Sequence, residues 1–265
     1  MPLDLTPDQL LRWYLDSGVD ETIGETPQDR FALSAKPAVR AVAPAQAPVQ
    51  ATAPVTAAAA VPLIHHHAPV TATHVAGECR TLEELRLAME GFDGLALKRT
   101  ALSTVFADGN PDAAVMVIGE APGQDEDRQG RPFMGASGKL LDRMLASIGL
   151  DRDSAYLTYA VPWRPVESPK PSHDDLSMCL PFITRHIELA DPQLLILLGG
   201  NSASALLARH EPVSRLRGQF FDYSSPGLPR PIPALATFHP AYLLSTPAAK
   251  RDAWRHLLMV KKRLG

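Results

Sequence analysis

Residues 118–138 gather the side chains best suited to chemistry: an acidic set with Glu120 and Glu126, a lone aromatic at Phe133, and glycines at 119, 123 and 135. Carboxylates so placed can orient water or stabilise a developing cation, and an isolated ring can stack on a planar ligand. The flanking sequence supplies the elements that hold them. Residues 113–118 (AAVMVI) are a short apolar run ended by Gly119, which predicts a buried parallel strand. Open α/β sheets place ligands at the C-terminal ends of such strands, and Glu120 stands at that exit. Ala121, Pro122 and Gly123 then predict a stiff turn whose backbone amides can face an anion. Phe133, bracketed by Pro132 and Gly135 without apolar periodicity, reads as displayed for stacking. Ser137 is in place to cap a helix over 138–148, where Leu140, Leu141, Met144, Leu145 and Ile148 recur at helical spacing.

The succession Gly119-Glu120-Ala121-Pro122-Gly123, Glu126-Asp127, Pro132-Phe133, Gly135, Gly138 and Leu140-Leu141 resembles the signature of the family 4 uracil-DNA glycosylases. A second stretch, Phe238-His239-Pro240-Ala241-Tyr242-Leu243-Leu244, resembles the family's C-terminal motif. Between the two, Tyr156-Leu157-Thr158, Arg164-Pro165 and Cys179-Leu180-Pro181-Phe182 resemble its middle segment, and residues 105–111 its beginning. The linked motifs follow in the family's order over residues 90–262, a far more specific signal than a lone glycine-rich loop.

The resemblance implies a three-layer α/β/α fold around a central, mostly parallel sheet. It also implies hydrolysis of the glycosidic bond of uracil in DNA, within base excision repair. The base then leaves the stack for a pocket. In this scheme Phe133 stacks on it, His239 donates to the departing base, Glu120 positions water or stabilises the cationic sugar, and Glu126 supports them. Gly119, Ala121, Gly123 and Tyr159 complete the base pocket. Ser137, Arg164, Pro240, Tyr242, Leu243 and Leu244 contact DNA, the last three as a bulky wedge in the duplex.

Three departures from the family qualify that scheme. Tyr159 replaces the Asn that reads uracil, and a phenol offers one hydroxyl where an amide offers a donor and an acceptor. Ser245 replaces an Arg after the C-terminal motif. The family holds an iron–sulfur cluster on four Cys, but alignment puts Phe92, Leu95 and Trp163 at three of those positions and leaves only Cys179. No cluster, metal or other cofactor is therefore expected. A uracil-DNA binding protein with weak or altered excision is the alternative. Covalent trapping by a His, as in one related group, is disfavoured because residues 166–173 carry no basic insertion.

Composition divides the chain of 265 residues. Residues 1–78 carry 4 Lys/Arg against 8 Asp/Glu, leaving 22 against 21 for the remainder, so the net charge of −3 conceals a nearly neutral catalytic region. Residues 1–17 predict a short amphipathic helix (Leu10, Leu11, Tyr14, Leu15) that could dock on a protein partner or on its own core. Residues 18–78, dominated by Ala, Pro and Val from 35 to 73, predict a disordered linker that includes His65, His66 and His67. Residues 79–265 form the expected catalytic domain, with strands near 113–118, 155–161, 194–198 and 234–237. Its helices are expected near 138–148, 174–189 with a break at Pro181, 202–208 and 247–263, the last with a basic solvent face. The absence of a long apolar run and of a basic leader predicts a cytoplasmic, monomeric protein without membrane contact.

Overall fold

A computed structural model describes residues 71–165, 170–209 and 211–265; the predicted helix over 1–17, most of the predicted linker and the His65–His67 tract lie outside them. In chain order the elements are α1 (Ala72–Glu78), α2 (Leu82–Gly91), α3 (Ala96–Thr100), β1 (Ala107–Gly109), β2 (Val115–Gly119), α4 (Gln124–Gln129), α5 (Ala136–Ala146), β3 (Ala155–Tyr159), α6 (His173–Ala190) and β4 (Leu194–Leu198). They continue with α7 (Gly200–Leu207), α8 (Val213–Leu216), β5 (Phe220–Tyr223), β6 (Ile232–Thr237), α9 (Pro240–Ser245), a single 3-10 turn at Pro247–Ala249, and α10 (Lys250–Leu264).

The six strands form one sheet in the order β1-β3-β2-β4-β6-β5. The inner four are parallel, and β1 and β5 close the edges antiparallel. Alternation along each strand sorts side chains between two cores. Met116 and Ile118 of β2, Leu195 and Leu197 of β4, and Ala234 and Ala236 of β6 enter one apolar cluster, with Leu85 of α2 and Phe182 and Ile187 of α6. Val115 and Val117, Leu194, Ile196 and Leu198, and Leu235 enter the other, with Leu141 and Leu145 of α5 and Leu257 and Val260 of α10. Both faces are thus covered by helices, which gives the expected three-layer α/β/α fold. Among the described residues no helix is long and apolar enough to cross a membrane.

Local departures from the sequence expectation have physical causes. Helix α6 passes through Pro181 without a break. The carbonyl that Pro181 cannot satisfy belongs to exposed Ser177, where water can replace the missing donor. Ser137 is not the cap of α5: Gly135 occupies the N-cap, and Ser137 lies in the first turn. Residues 72–78, assigned from composition to the linker, are helical, and Ala72, Ala76 and Cys79 are buried in the first core. Arg185 Nε of α6 donates to the Cys79 carbonyl at 2.9 Å, anchoring the end of that helix.

Helix α1 therefore belongs to the core of the domain. A chain starting at Arg80 should lose about 2 kcal/mol of apolar burial and about 4–8 °C in Tm relative to one starting at Thr71. Equal melting temperatures for the two truncations, measured by calorimetry, would contradict the assignment of α1 to the core.

Candidate active site

Parallel strands deliver their C-terminal ends to one edge, and there the candidate residues converge. Strand β2 exits into Glu120, β4 into Gly199, and β6 into Phe238 and His239. Because β2 connects to β3 on one side and neighbours β4 on the other, the crevice between β2 and β4 is a topological switch point. A cleft of about 540 Å³ opens there, lined by Glu120, Ala121, Lys170, Pro171, Gly199, Gly200, Phe238, His239 and Tyr242 among others.

Glu120 is seated against the start of α7. Asn201 N donates to Glu120 Oε1 at 2.9 Å, so the carboxylate is held at the first turn of a helix. Gly199 makes this approach possible. It has φ 103°, and a Cβ on it would stand 2.4 Å from Glu120 Oε1, so any side chain would expel the carboxylate.

His239 is the N-cap of α9, with Pro240 preset at the first helical position. Ala241 N donates to His239 Nδ1 at 3.2 Å. Since Nδ1 accepts, the proton of the neutral ring resides on Nε2, a donor for the cleft. Burial lowers the His239 pKa to about 4, opposed by the attraction of Glu126 and assisted by Lys170. The imidazole is therefore neutral at physiological pH.

Glu126 and Arg152 build the loop between these elements. The buried Glu126 carboxylate accepts from three backbone amides: Gly123 N at 3.0 Å on Oε2, and Met134 N and Gly135 N, each at 2.9 Å, on Oε1. From the other side Arg152 donates to the carbonyls of Pro132 at 3.1 Å and Phe133 at 2.7 Å. Held at both faces, Phe133 adopts φ 57°, a left-handed conformation costly for an aromatic residue. The Gly123 amide is thus turned to Glu126 rather than left open to an anion.

Phe133 is not displayed. It is 1% exposed, and its ring lies 4.6 Å from that of Tyr159 and 6.4 Å from that of His239. Tyr159 is equally interior: its hydroxyl oxygen accepts from Phe133 N at 3.1 Å, and burial pushes the phenol pKa well up. Both rings pack over Gly119, where a Cβ would come within 2.8 Å of Phe133 and 2.7 Å of Tyr159. The aromatic faces lining the cleft are instead Phe238 and Tyr242, with ring centroids 5.1 Å apart.

The remaining sequence-derived positions divide between surface and core. Tyr242 and Leu244 are about half exposed, while Pro240 and Leu243 are buried, so Leu243 anchors α9 instead of projecting toward a duplex. Arg164 lies 3.9 Å from Asp127, whose buried carboxylate accepts from Leu102 N and Ser103 N. Ser137 is half-buried away from the cleft lining. Sequence reasoning missed Gly199, Asn201 and the lining role of Phe238. A strand running into Gly-Gly at the head of a helix was the signal that could have marked the first two.

The four positions at which the family carries cluster ligands do not fit such a group. Phe92, Leu95, Trp163 and Cys179 all join one apolar core, and Phe92 packs edge-on against Phe182 at 5.1 Å. Trp163 Nε1 donates to Thr104 Oγ1, and burial pushes the Cys179 thiol well above its ordinary range. One protonated thiol among hydrocarbon side chains offers no thiolate set. Among the described residues no cluster of three metal-ligating side chains exists.

The Glu126 geometry is that of a positioning residue. Glu126→Gln should weaken the charge-assisted acceptance of backbone amides and lower stability by about 1.5–3 kcal/mol as loop 132–135 loosens. Were Glu126 a proton-transfer group, the variant would instead keep its Tm and lose the chemical rate.

Comparison with known proteins agrees with this architecture. The family model described as the uracil DNA glycosylase superfamily matches residues 106–258. The Type-4 uracil-DNA glycosylase of Saccharolobus solfataricus is 36% identical over 167 residues, covering 61% of this chain and 76% of that protein. Those of Archaeoglobus fulgidus (33% over 160 residues; 59% and 79%) and Pyrobaculum aerophilum (31% over 182 residues; 67% and 92%) are similar at comparable levels. With a family match spanning more than half of its length, the chain belongs to the uracil-DNA glycosylase superfamily.

Proposed function

We propose that this protein hydrolyses the N-glycosidic bond of uracil in DNA as a cofactor-independent glycosylase. The observation that carries the reading is that one cleft is lined both by a carboxylate held at a helix N-terminus, Glu120, and by a neutral imidazole whose Nε2–H has no acceptor among the described residues, His239. Cleavage of the bond places positive charge on the sugar and negative charge on the departing uracil. Glu120 stabilises the sugar cation or orients the attacking water, and His239 donates to the base oxygen as it becomes anionic. A neutral donor is well suited here because it requires no desolvated cation in the resting site. The relatives' printed name, Type-4 uracil-DNA glycosylase, supports the same substrate.

The flipped base enters between these two groups, with Phe238 and Tyr242 as the aromatic faces of the cleft and Leu244 exposed beside them. Phe133 and Tyr159 form the wall behind His239. Tyr159 thus acts on base choice indirectly, by holding Phe133, whose ring lies 6.4 Å from that of His239.

Glu120→Gln and His239→Ala should each lower the single-turnover rate on a uracil-containing duplex by on the order of 100-fold to 1,000-fold, with Tm little changed in Glu120→Gln and lowered by a few degrees in His239→Ala, which loses the α9 N-cap. The wild-type rate should be flat near neutral pH and decline only as the pH approaches about 4, where His239 would gain a proton on Nδ1 and lose the Ala241 amide. A midpoint near the ordinary histidine value, or near wild-type rates in both variants, contradicts this mechanism.

A separate outcome is expected for Tyr159→Phe. It removes the acceptor of a buried amide and should cost about 1–3 kcal/mol of stability, while uracil remains preferred over cytosine and thymine by unchanged factors. A selective loss of discrimination against cytosine at constant Tm would instead make the hydroxyl a direct reader of the base.

A further inference from the structure

We propose that the groove between α5, α9 and α10 is a second nucleic-acid subsite, which stacks a base flanking the lesion on Trp254 and holds adjacent phosphates on Arg143 and Lys250. The inference rests on reading the neighbouring cleft as a uracil-DNA site. The groove encloses about 270 Å³ and is floored by Met144, Leu243 and Leu257, all buried. Trp254 forms part of its wall and is 43% exposed, although α10 already buries Ala253, His256, Leu257 and Val260 on its inward face. An indole left in water beside an apolar floor contributes little to the fold, but it offers the kind of platform on which a base stacks regardless of sequence.

Three observations select DNA as the occupant. The first is continuity: α9 carries Tyr242 and Ser245 into the cleft and Leu243 into the groove, so one six-residue helix separates the two sites. A strand passing over the exposed Leu244 would reach both. The second is charge. The groove is lined by Arg143 and Lys250 and by no carboxylate. The nearby Asp252 is already engaged, at 2.8 Å by Arg217 and 3.5 Å by Arg255. The third is the pairing pattern. Arg86, Arg128, Arg131, Arg152, Arg185 and Arg230 all meet carboxylates within the fold. Arg143 and Lys250, like some other exposed cations such as Arg99 and Lys139, have no ion-pair partner among the described residues. Uncompensated positive charge around an exposed aromatic matches a phosphate backbone with its bases splayed toward the protein.

The test uses the full-length protein and a labelled single strand carrying 2′-fluoro-2′-deoxyuridine, whose fluorine resists glycosidic cleavage, so that binding is read without turnover. Trp254→Ala should weaken binding roughly 5-fold to 150-fold and raise KM on a uracil-containing single strand while leaving kcat unchanged. Trp254→Phe should restore most of the affinity, because a ring is retained. The double variant Arg143→Gln/Lys250→Gln should reduce the slope of log K against log salt by about 1.4, the value for two lost phosphate contacts on a single strand. Unchanged affinity in Trp254→Ala together with an unchanged salt slope overturns the proposal and would leave an acidic protein segment as the occupant. If the wild-type protein released no uracil yet the variants still bound the single strand more weakly, the uracil reading would fail while the groove kept its assignment to DNA.

Discussion

The polarity of four parallel strands is the constraint on which the site depends. Glu120, Gly199 and His239 are separated by as many as 119 positions in the sequence, yet each follows within two residues on one of three adjacent strands that run the same way. No local signal could assemble them. The register Ile118 to Leu197 and Leu198 to Thr237 brings their exits to one height, and the apolar clusters on both faces keep the sheet dry and fixed. A cleft at that edge then requires only that the residues after the strands leave room, which Gly199 does by lacking a side chain.

Within this frame two carboxylates of similar appearance do different work because their partners differ. Glu126 is saturated by three amides and is spent on shaping the loop that carries Phe133. Glu120 receives one amide and keeps its remaining acceptor capacity directed at the cleft. The imidazole is likewise defined by what it has already accepted. By capping α9 through Nδ1, His239 commits its proton to Nε2, and burial then keeps it from becoming a cation. Local helix chemistry thereby holds the Glu120 carboxylate in place and fixes the tautomer of the His239 ring.

Much of the architecture was legible in the sequence, for identifiable reasons. The strands at 115–119, 155–159, 194–198 and 232–237 are short, continuously apolar runs ended by glycine, a polar residue or an aromatic, which is how doubly covered parallel strands read. The edge strands were not legible. Ala-Asp-Gly in β1 carries no apolar pattern, and in β5 only Tyr223 is buried. Helix α1 was hidden because its core contacts are made by alanines within a compositionally biased tract. At the site, Glu120 and His239 could be named from motif positions. The display of Phe133 was misjudged, because nothing local announces that Arg152 and Glu126 fold its loop inward onto Tyr159.

The central claim is that the cleft holds a neutral, Nε2-protonated imidazole opposite a fixed carboxylate. Nitrogen-15 NMR of ring-labelled protein, titrated through the acid range with His239→Gln as the assignment control, tests it most directly. The account predicts that His239 shows a protonated Nε2 and an unprotonated Nδ1 at neutral pH, and takes up a second proton only near pH 4. An Nδ1-protonated ring, or a titration midpoint at or above the ordinary value near 6.5, would contradict it.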